Sequence, residues 1–245
     1  MAISIDSLTK VSRLGALLLA LGLSFTVTEQ AKAGSLVSTR TGLNTLLGGT
    51  GTTENFEKFN VSNGTASTLV ASTLNSGTST NDQGPGLVAN GVTFQGTSLQ
   101  WNGSGYFGSP SKEILAVGRR LTINFTTAVN AFGLDLRAFT GSPATATVKI
   151  FGSDNSTVLN TFNAISLATT GASTFFGYQD LTASVGKIEL TQSGQSWSPI
   201  IDNLTFGKAQ PTAVPTPALL PGLIGLGVAA LRKRKAEAAE QANEA

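Results

Sequence analysis

The chain has 245 residues, of which 40% are apolar and 12% charged, and it contains neither cysteine nor histidine. That apolar share supports a packed core, while the missing residue types exclude disulfides, thiol nucleophiles, a Ser-His-Asp triad and zinc sites of ordinary type. The net charge of +2 lies wholly at the ends: residues 1–33 and 209–245 carry +1 each, whereas 34–208 balances nine basic against nine acidic residues. The body therefore offers no excess positive charge to a phosphate backbone, and nucleic-acid binding is disfavoured.

At the N-terminus, Lys10 and Arg13 precede an apolar run from Leu14 to Val27, and Ala31-Lys32-Ala33 follows. Basic region, apolar region and a small-x-small site in that order predict a secretory signal peptide over 1–33, with signal cleavage between Ala33 and Gly34.

The segment 34–110 predicts strands in ENFEKFN, STLVAST and VTFQGTSLQW, an exposed loop over 75–86, and a glycine-flanked aromatic turn over 103–110. Beyond it, apolar residues alternate: Leu121, Ile123 and Phe125; Phe132, Leu134 and Leu136; Ala146, Val148 and Ile150; then Val185, Ile188 and Leu190. Period two over four to eight residues predicts half-buried strands. The intervening TGSP, GSDNS, TTGAS and QSGQS are turn material. No stretch shows a helical stripe of ordinary length. The reading is one all-β domain over 34–207, an antiparallel sandwich or barrel.

Within that domain, Asp202 alternates in phase with Ile200, Leu204 and Phe206. A carboxylate on a core face demands a cation, a bound metal or hydrogen-bond donors. Arg119, Arg120 and Arg137 are candidate partners, and a bulge that turns Asp202 outward is the other way out. Asp135, between Leu134 and Leu136, is expected on the solvent face, and Asp154 in GSDN as a local turn cap. Trp101, Tyr106 and Trp197, with Phe107 and Tyr178, fall at strand ends or in Gly/Ser-rich loops. They form a candidate carbohydrate-binding platform with Asn102 and Gln195, the alternative being ordinary core packing. Catalysis is not expected: a glycosidase needs two carboxylates across a cleft, and spacing alone places no such pair.

From 208 to 217 the composition becomes that of a linker. Ala218 to Leu231 is then an apolar run of 14 residues, shorter than the ~20 a bilayer core asks of a helix. Arg232, Lys233, Arg234 and Lys235 follow as a membrane stop that stays on the cytoplasmic side. The expected order is thus a linker with a sorting motif (208–217), a hydrophobic helix and basic stop (218–235), and a Glu/Ala-rich tail (236–245).

Pro215-Thr216-Pro217-Ala218, the apolar stretch and the basic cluster resemble, over about 22 residues, the PEP-CTERM sorting signal in its PTPA variant. The family occurs in Gram-negative bacteria that make exopolysaccharide, cyanobacteria among them. The resemblance implies recognition of the motif by an exosortase-type processing enzyme. It also implies membrane attachment through the C-terminal helix, transient or permanent, and localisation to the cell envelope or outside the cell. Pro-Thr-Pro in place of Pro-Glu-Pro and the AEAAEQANEA extension depart from the usual pattern. NFEKF, VNAFGLDL, FFGYQDL and PIIDNLTFG likewise resemble the extracellular proteins that carry such tails. They imply an antiparallel jelly-roll β-sandwich similar to carbohydrate-binding modules. In such domains a structural Ca²⁺ is often shared between a glutamate near the first strand and an aspartate in the last. The matching positions are Glu57 and Asp202, with Asn203 or Glu54 and backbone carbonyls completing the shell. The function so implied is non-catalytic: an exported matrix protein, with or without affinity for extracellular polysaccharide.

Overall fold

The computed structural model describes residues 34–68, 72–78, 84–138, 144–168, 171–193 and 197–210. Ala31, Ala33 and the rest of the expected signal peptide, and the sorting motif, apolar stretch and membrane stop beyond 210, lie outside the described residues. No helix among the described residues is long and apolar enough to cross a membrane.

In chain order the elements are β1 (Ser35–Val37), helix α1 (Arg40–Leu46), β2 (Thr52–Glu54), β3 (Ala66–Thr68), β4 (Thr73–Asn75), β5 (Val92–Gln95) and β6 (Ser98–Asn102). A single 3-10 turn (Tyr106–Gly108) precedes β7 (Glu113–Val117), β8 (Arg120–Val129), β9 (Ala131–Arg137) and β10 (Ala144–Gly152). The chain continues with β11 (Val158–Leu167), β12 (Thr174–Gln179), β13 (Val185–Ser193) and β14 (Trp197–Gly207). Two sheets result, with every pairing between named strands antiparallel. The first runs β1-β12-β9-β14-β7-β6-β3, with β2 also on β14, and the second runs β11-β10-β13-β8-β5-β4.

Alternation explains the core. On β8, Leu121, Ile123 and Phe125 point inward while Arg120, Thr122 and Asn124 do not. On β9, Phe132, Leu134 and Leu136 meet them from the other sheet, and one apolar cluster fills the space between. A smaller cluster lies on the outer face of the first sheet, where Leu43 and Leu47 cover Ala131 and Val37. Helix α1 supplies that cover. Thr39 caps it, its hydroxyl accepting from the Gly42 amide at 3.0 Å.

Three expectations change, and three elements are new. ENFEKFN is not a strand: β2 ends at Glu54, and Phe56 turns the chain with a φ of 55°, so that Phe56 and Phe59 both reach the core. VTFQGTSLQW is two strands in different sheets, β5 in the second and β6 in the first, because the chain crosses the sandwich at Gly96-Thr97. The two ends of STLVAST fall in the short β3 and β4, in different sheets, and 69–71 lie outside the described residues. Helix α1, β11 and β12 had no clear periodic signal: α1 has seven residues and one fully buried apolar side chain, and β11 is an edge strand exposed over much of its length.

Candidate functional site

Strand β14 decides where the chemistry sits. Its register against β9 shifts between Asp202 and Thr205, and Asn203 there adopts a left-handed φ of 49°. This bulge breaks the in-phase pattern read from the sequence. Ile201, Leu204 and Phe206 enter the core cluster, whereas Asp202 turns to the outer face of the first sheet. The bulge falls where the free edge of β14 changes partner, from β7 along Trp197–Ile201 to β2 along Leu204–Phe206. Between those partners a cleft of about 160 Å³ opens, lined by Ser111, Glu113, Asp135, Arg137, Ser173 and Asp202 among others.

Three carboxylates stand in one row across this face. Asp202 pairs with Asp135 on β9, and Glu113 lies one step along β7 from Ile114, the partner of Ile201. Like charges directly opposite one another are destabilising, and the neighbouring groups offset this. The Asn203 side-chain amide donates to Asp135 Oδ2 and to Asp202 Oδ2, 3.0 Å each. Arg40, from α1, pairs with Asp135 at 2.8 Å and donates to the Asn203 carbonyl at 3.0 Å. Arg137 pairs with Glu113 through both Nε, at 2.9 Å, and Nη2, and the Asn102 amide adds 3.1 Å to Glu113 Oε1. Among the described residues, Asp202 has no cation of its own. It accepts from Ser111 Oγ at 2.5 Å and from the Asn203 amide at 2.6 Å. Burial therefore pushes its carboxyl up to about 7, with Asp135 and Glu113 adding to the rise against those two hydrogen bonds.

Asp135 is thus not on a free solvent face. Its side chain is 15% exposed and held by Arg40, which α1 brings over the sheet. Of the arginines considered for Asp202, Arg137 has gone to Glu113 and Arg120 approaches Glu189 at 3.5 Å. Asp154 caps its turn as expected, accepting from the Ser156 and Thr157 amides and the Thr157 hydroxyl. These bonds hold its pKa well below the usual carboxylate range.

The aromatic candidates separate. Trp101 is 1% exposed, its ring 4.0 Å from that of Phe59, so it is a core residue and offers no face to a sugar. Its strand points it inward, and Asn102 outward onto Glu113. Tyr178 is buried too. Trp197 begins β14 opposite Val117, and its side chain, like Gln195, falls outside the described residues. Tyr106 and Phe107 form an edge-to-face pair, ring centroids 4.5 Å apart, on the 3-10 turn. Phe107 is 50% exposed, and its carbonyl accepts from Arg137 Nη1 at 3.1 Å, so the turn is fastened to the wall of the cleft.

The residues expected to hold calcium do not fit that ion. Glu57 is exposed and caps the Lys112 amide at 2.9 Å, and the Lys112 ammonium reaches the Glu57 and Phe59 carbonyls at 3.0 and 2.7 Å. A cation of the chain's own thus occupies carbonyls a metal would need. Asn203 turns its NH₂ donors, not its carbonyl, toward Asp202. Glu54 is the buried glutamate of this region, and it accepts from the Phe56 and Ala89 amides at 2.6 and 2.5 Å. Burial raises its pKa in spite of those bonds.

Sequence reasoning missed Glu113, Arg40 and Ser111. For Glu113 the available signal was a charged residue abutting the uninterrupted apolar run of KEILAV; Arg40 and Ser111 carried none. Where such a charge is buried, as Glu113 is, it needs a partner, though no local pattern names which one.

No protein family matches the sequence, and no curated protein does. Among solved structures, a family 29 carbohydrate-binding module from Piromyces equi is 14% identical, with a TM-score of 0.33 over 59% of this chain and 91% of that one. A family 29 module complexed with mannohexaose is also 14% identical, with a TM-score of 0.31 over 52% and 90%. The linked CBM22-1 and GH10 modules of a Clostridium thermocellum xylanase, complexed with xylohexaose, are 12% identical, with a TM-score of 0.29 over 44% and 24%. Scores this low do not establish a common fold.

Proposed function

We propose that this chain is an exported, non-catalytic jelly-roll module, delivered to the cell envelope or extracellular matrix, that holds polysaccharide at the Tyr106–Phe107 turn and the cleft beside it. One observation carries the binding reading: a half-exposed aromatic pair is fixed by Arg137 at the border of a cleft whose walls present hydroxyl, carboxylate and amide groups. An aromatic face covers the apolar face of a pyranose, and polar groups at fixed positions read its hydroxyls. Delivery rests on the order of leader, neutral body, PTPA motif and basic stop, with an exosortase-type enzyme as the processing partner. Asp135 and Glu113 are both committed to guanidinium groups, which favours binding over hydrolysis.

Affinity electrophoresis of the protein through gels containing acidic or neutral polysaccharides tests the binding. Retardation by at least one polysaccharide, lost in Phe107→Ala without a change in melting temperature, is the expected result. No retardation of the wild-type protein in any gel overturns the assignment and leaves a matrix protein without a specific ligand, and equal retardation of the two proteins removes the Tyr106–Phe107 turn from the site. Shortening of the polysaccharide on long incubation would instead establish an enzyme. Mass spectrometry of the exported protein tests the delivery: a mass ending near residue 216 supports processing, and a retained basic cluster supports a permanent anchor.

A further inference from the structure

Gly34 lies between the end of the expected leader at Ala33 and the start of β1 at Ser35. The register of β1 on β12, Ser35 opposite Gln179, places Gly34 opposite Asp180. A Cβ built on Gly34 would fall 1.8 Å from the Tyr178 hydroxyl and 2.3 Å from Cζ, so only glycine fits here. The Gly34 Cα thus lies against that hydroxyl, and its nitrogen, one bond of about 1.46 Å further, is within about 5 Å of it. Tyr178 in turn donates to Asp180 Oδ2 at 3.1 Å.

Asp180 is an anion without a cation. It is 6% exposed, and no lysine or arginine pairs with it among the described residues. Its Oδ1 is filled by the Thr182 amide and hydroxyl and the Ala183 amide, at 2.8 to 2.9 Å, but among the described residues the only donor on Oδ2 is the Tyr178 hydroxyl. Burial alone would raise its pKa, yet these hydrogen bonds hold the carboxyl below its ordinary value, so the charge is present at neutral pH.

We propose that cleavage before Gly34 creates an α-ammonium that seats on the Tyr178–Asp180 pair, so that maturation itself pins β1 to the sheet edge. Hydrolysis of the Ala33–Gly34 peptide bond by water supplies the group: a neutral amide nitrogen becomes a protonated amine beside a buried carboxylate. β1 has three residues and one neighbour, so an ion pair at its first turn matters more than one in the middle of a sheet. The proposal rests on the export reading for its biology, but its chemistry is testable apart from it. The titratable groups facing Gly34 from β12 are Tyr178 and Asp180. Helix α1, also packed near β1, carries Arg40, which is engaged with Asp135. Tyr178 does not compete as a base, because burial and the Asp180 charge both raise its pKa.

The experiment uses chain 34–245 with a free Gly34 amine, compared with the same chain acetylated at that amine. The amine should titrate about one unit above the 7.7–8.0 of an ordinary α-amino group, read from the pH dependence of amine labelling. The shift should disappear in Asp180→Asn. A folded pKa above the unfolded one stabilises below the unfolded value and is lost as pH rises through the folded value. The free form should therefore melt higher than the acetylated form at pH 7, with the two converging above pH ~9. An amine titrating at its ordinary value, or melting curves that coincide at pH 7, overturns the seat. Where Asp180→Asn does not fold, the acetylation comparison alone decides. N-terminal sequencing of the exported protein tests the premise separately: a mature start other than Gly34 breaks the link to export even when the titration succeeds.

Discussion

Replacing Arg137 with methionine removes a guanidinium that is 3% exposed and leaves Glu113, equally buried, without its cation. Methionine keeps most of the volume, so the change isolates the polar loss. Among the described residues Glu113 would retain the Asn102 amide alone, at 3.1 Å, and the Phe107 carbonyl would lose its 3.1 Å donor. Two charged hydrogen bonds to the carboxylate, each worth about 1.5–3 kcal/mol, disappear. Breaking one partner of a buried ion pair costs about 3–5 kcal/mol, which agrees with that sum. For a domain of this size, such a loss lowers the melting temperature by about 6 to 20 °C. Urea unfolding followed by tryptophan fluorescence measures the free energy directly. The double variant with Glu113→Gln should recover most of the loss, because a neutral amide needs no cation and still accepts from Asn102. A single variant within about 1 kcal/mol of wild type, or a double variant no better than the single, would show that the pair is not buried as described.

The Asp202 carboxyl, raised to about 7, stabilises the fold when protonated, and that stability falls as pH rises from its unfolded value through 7. Urea titrations should show a drop of at most roughly 3 kcal/mol between pH 5 and 8, flattened in Asp202→Asn; parallel profiles for the two proteins would refute this. Gly103→Ala places a Cβ 2.1 Å from the Ser62 carbonyl oxygen, which is backbone and cannot rotate away, so a loss of about 1–3 kcal/mol is expected in the same assay. Lys112→Met should destabilise by about 1–3 kcal/mol, since it strips two carbonyls of a charged donor. With the ammonium in that place, chelators should leave the wild-type melting temperature unchanged. A fall on chelation restored by calcium would reinstate a metal at Glu57 and Asp202.

The long strands were legible because their inner neighbours are equivalent. Any sheet over any apolar core buries Leu121, Ile123 and Phe125 together, so alternation alone identifies β8, and the same holds for β9, β10 and β13. Asp202 was legible as a problem, since a carboxylate beside Ile200 and Leu204 needs an answer. Which answer applies was not legible: it depends on a bulge whose position is set by β7 and β2 sharing one edge of β14, and those strands lie far away in the chain. Trp101 failed for a related reason, because the switch of sheets between β5 and β6 decides which face of β6 points inward.

The sequence by itself determined the long strand-forming stretches, the absence of histidine and cysteine chemistry, and the neutrality of the body. These follow from residue type and local period, which every conformation of the chain shares. Only the tertiary structure decided that Glu113 takes Arg137, that Arg40 reaches Asp135, that Asp202 faces a cleft with no ion pair of its own among the described residues, and that Gly34 lies against Tyr178. Pairings of that kind are fixed by strand register between distant segments, where moving one residue exchanges the faces of a sheet.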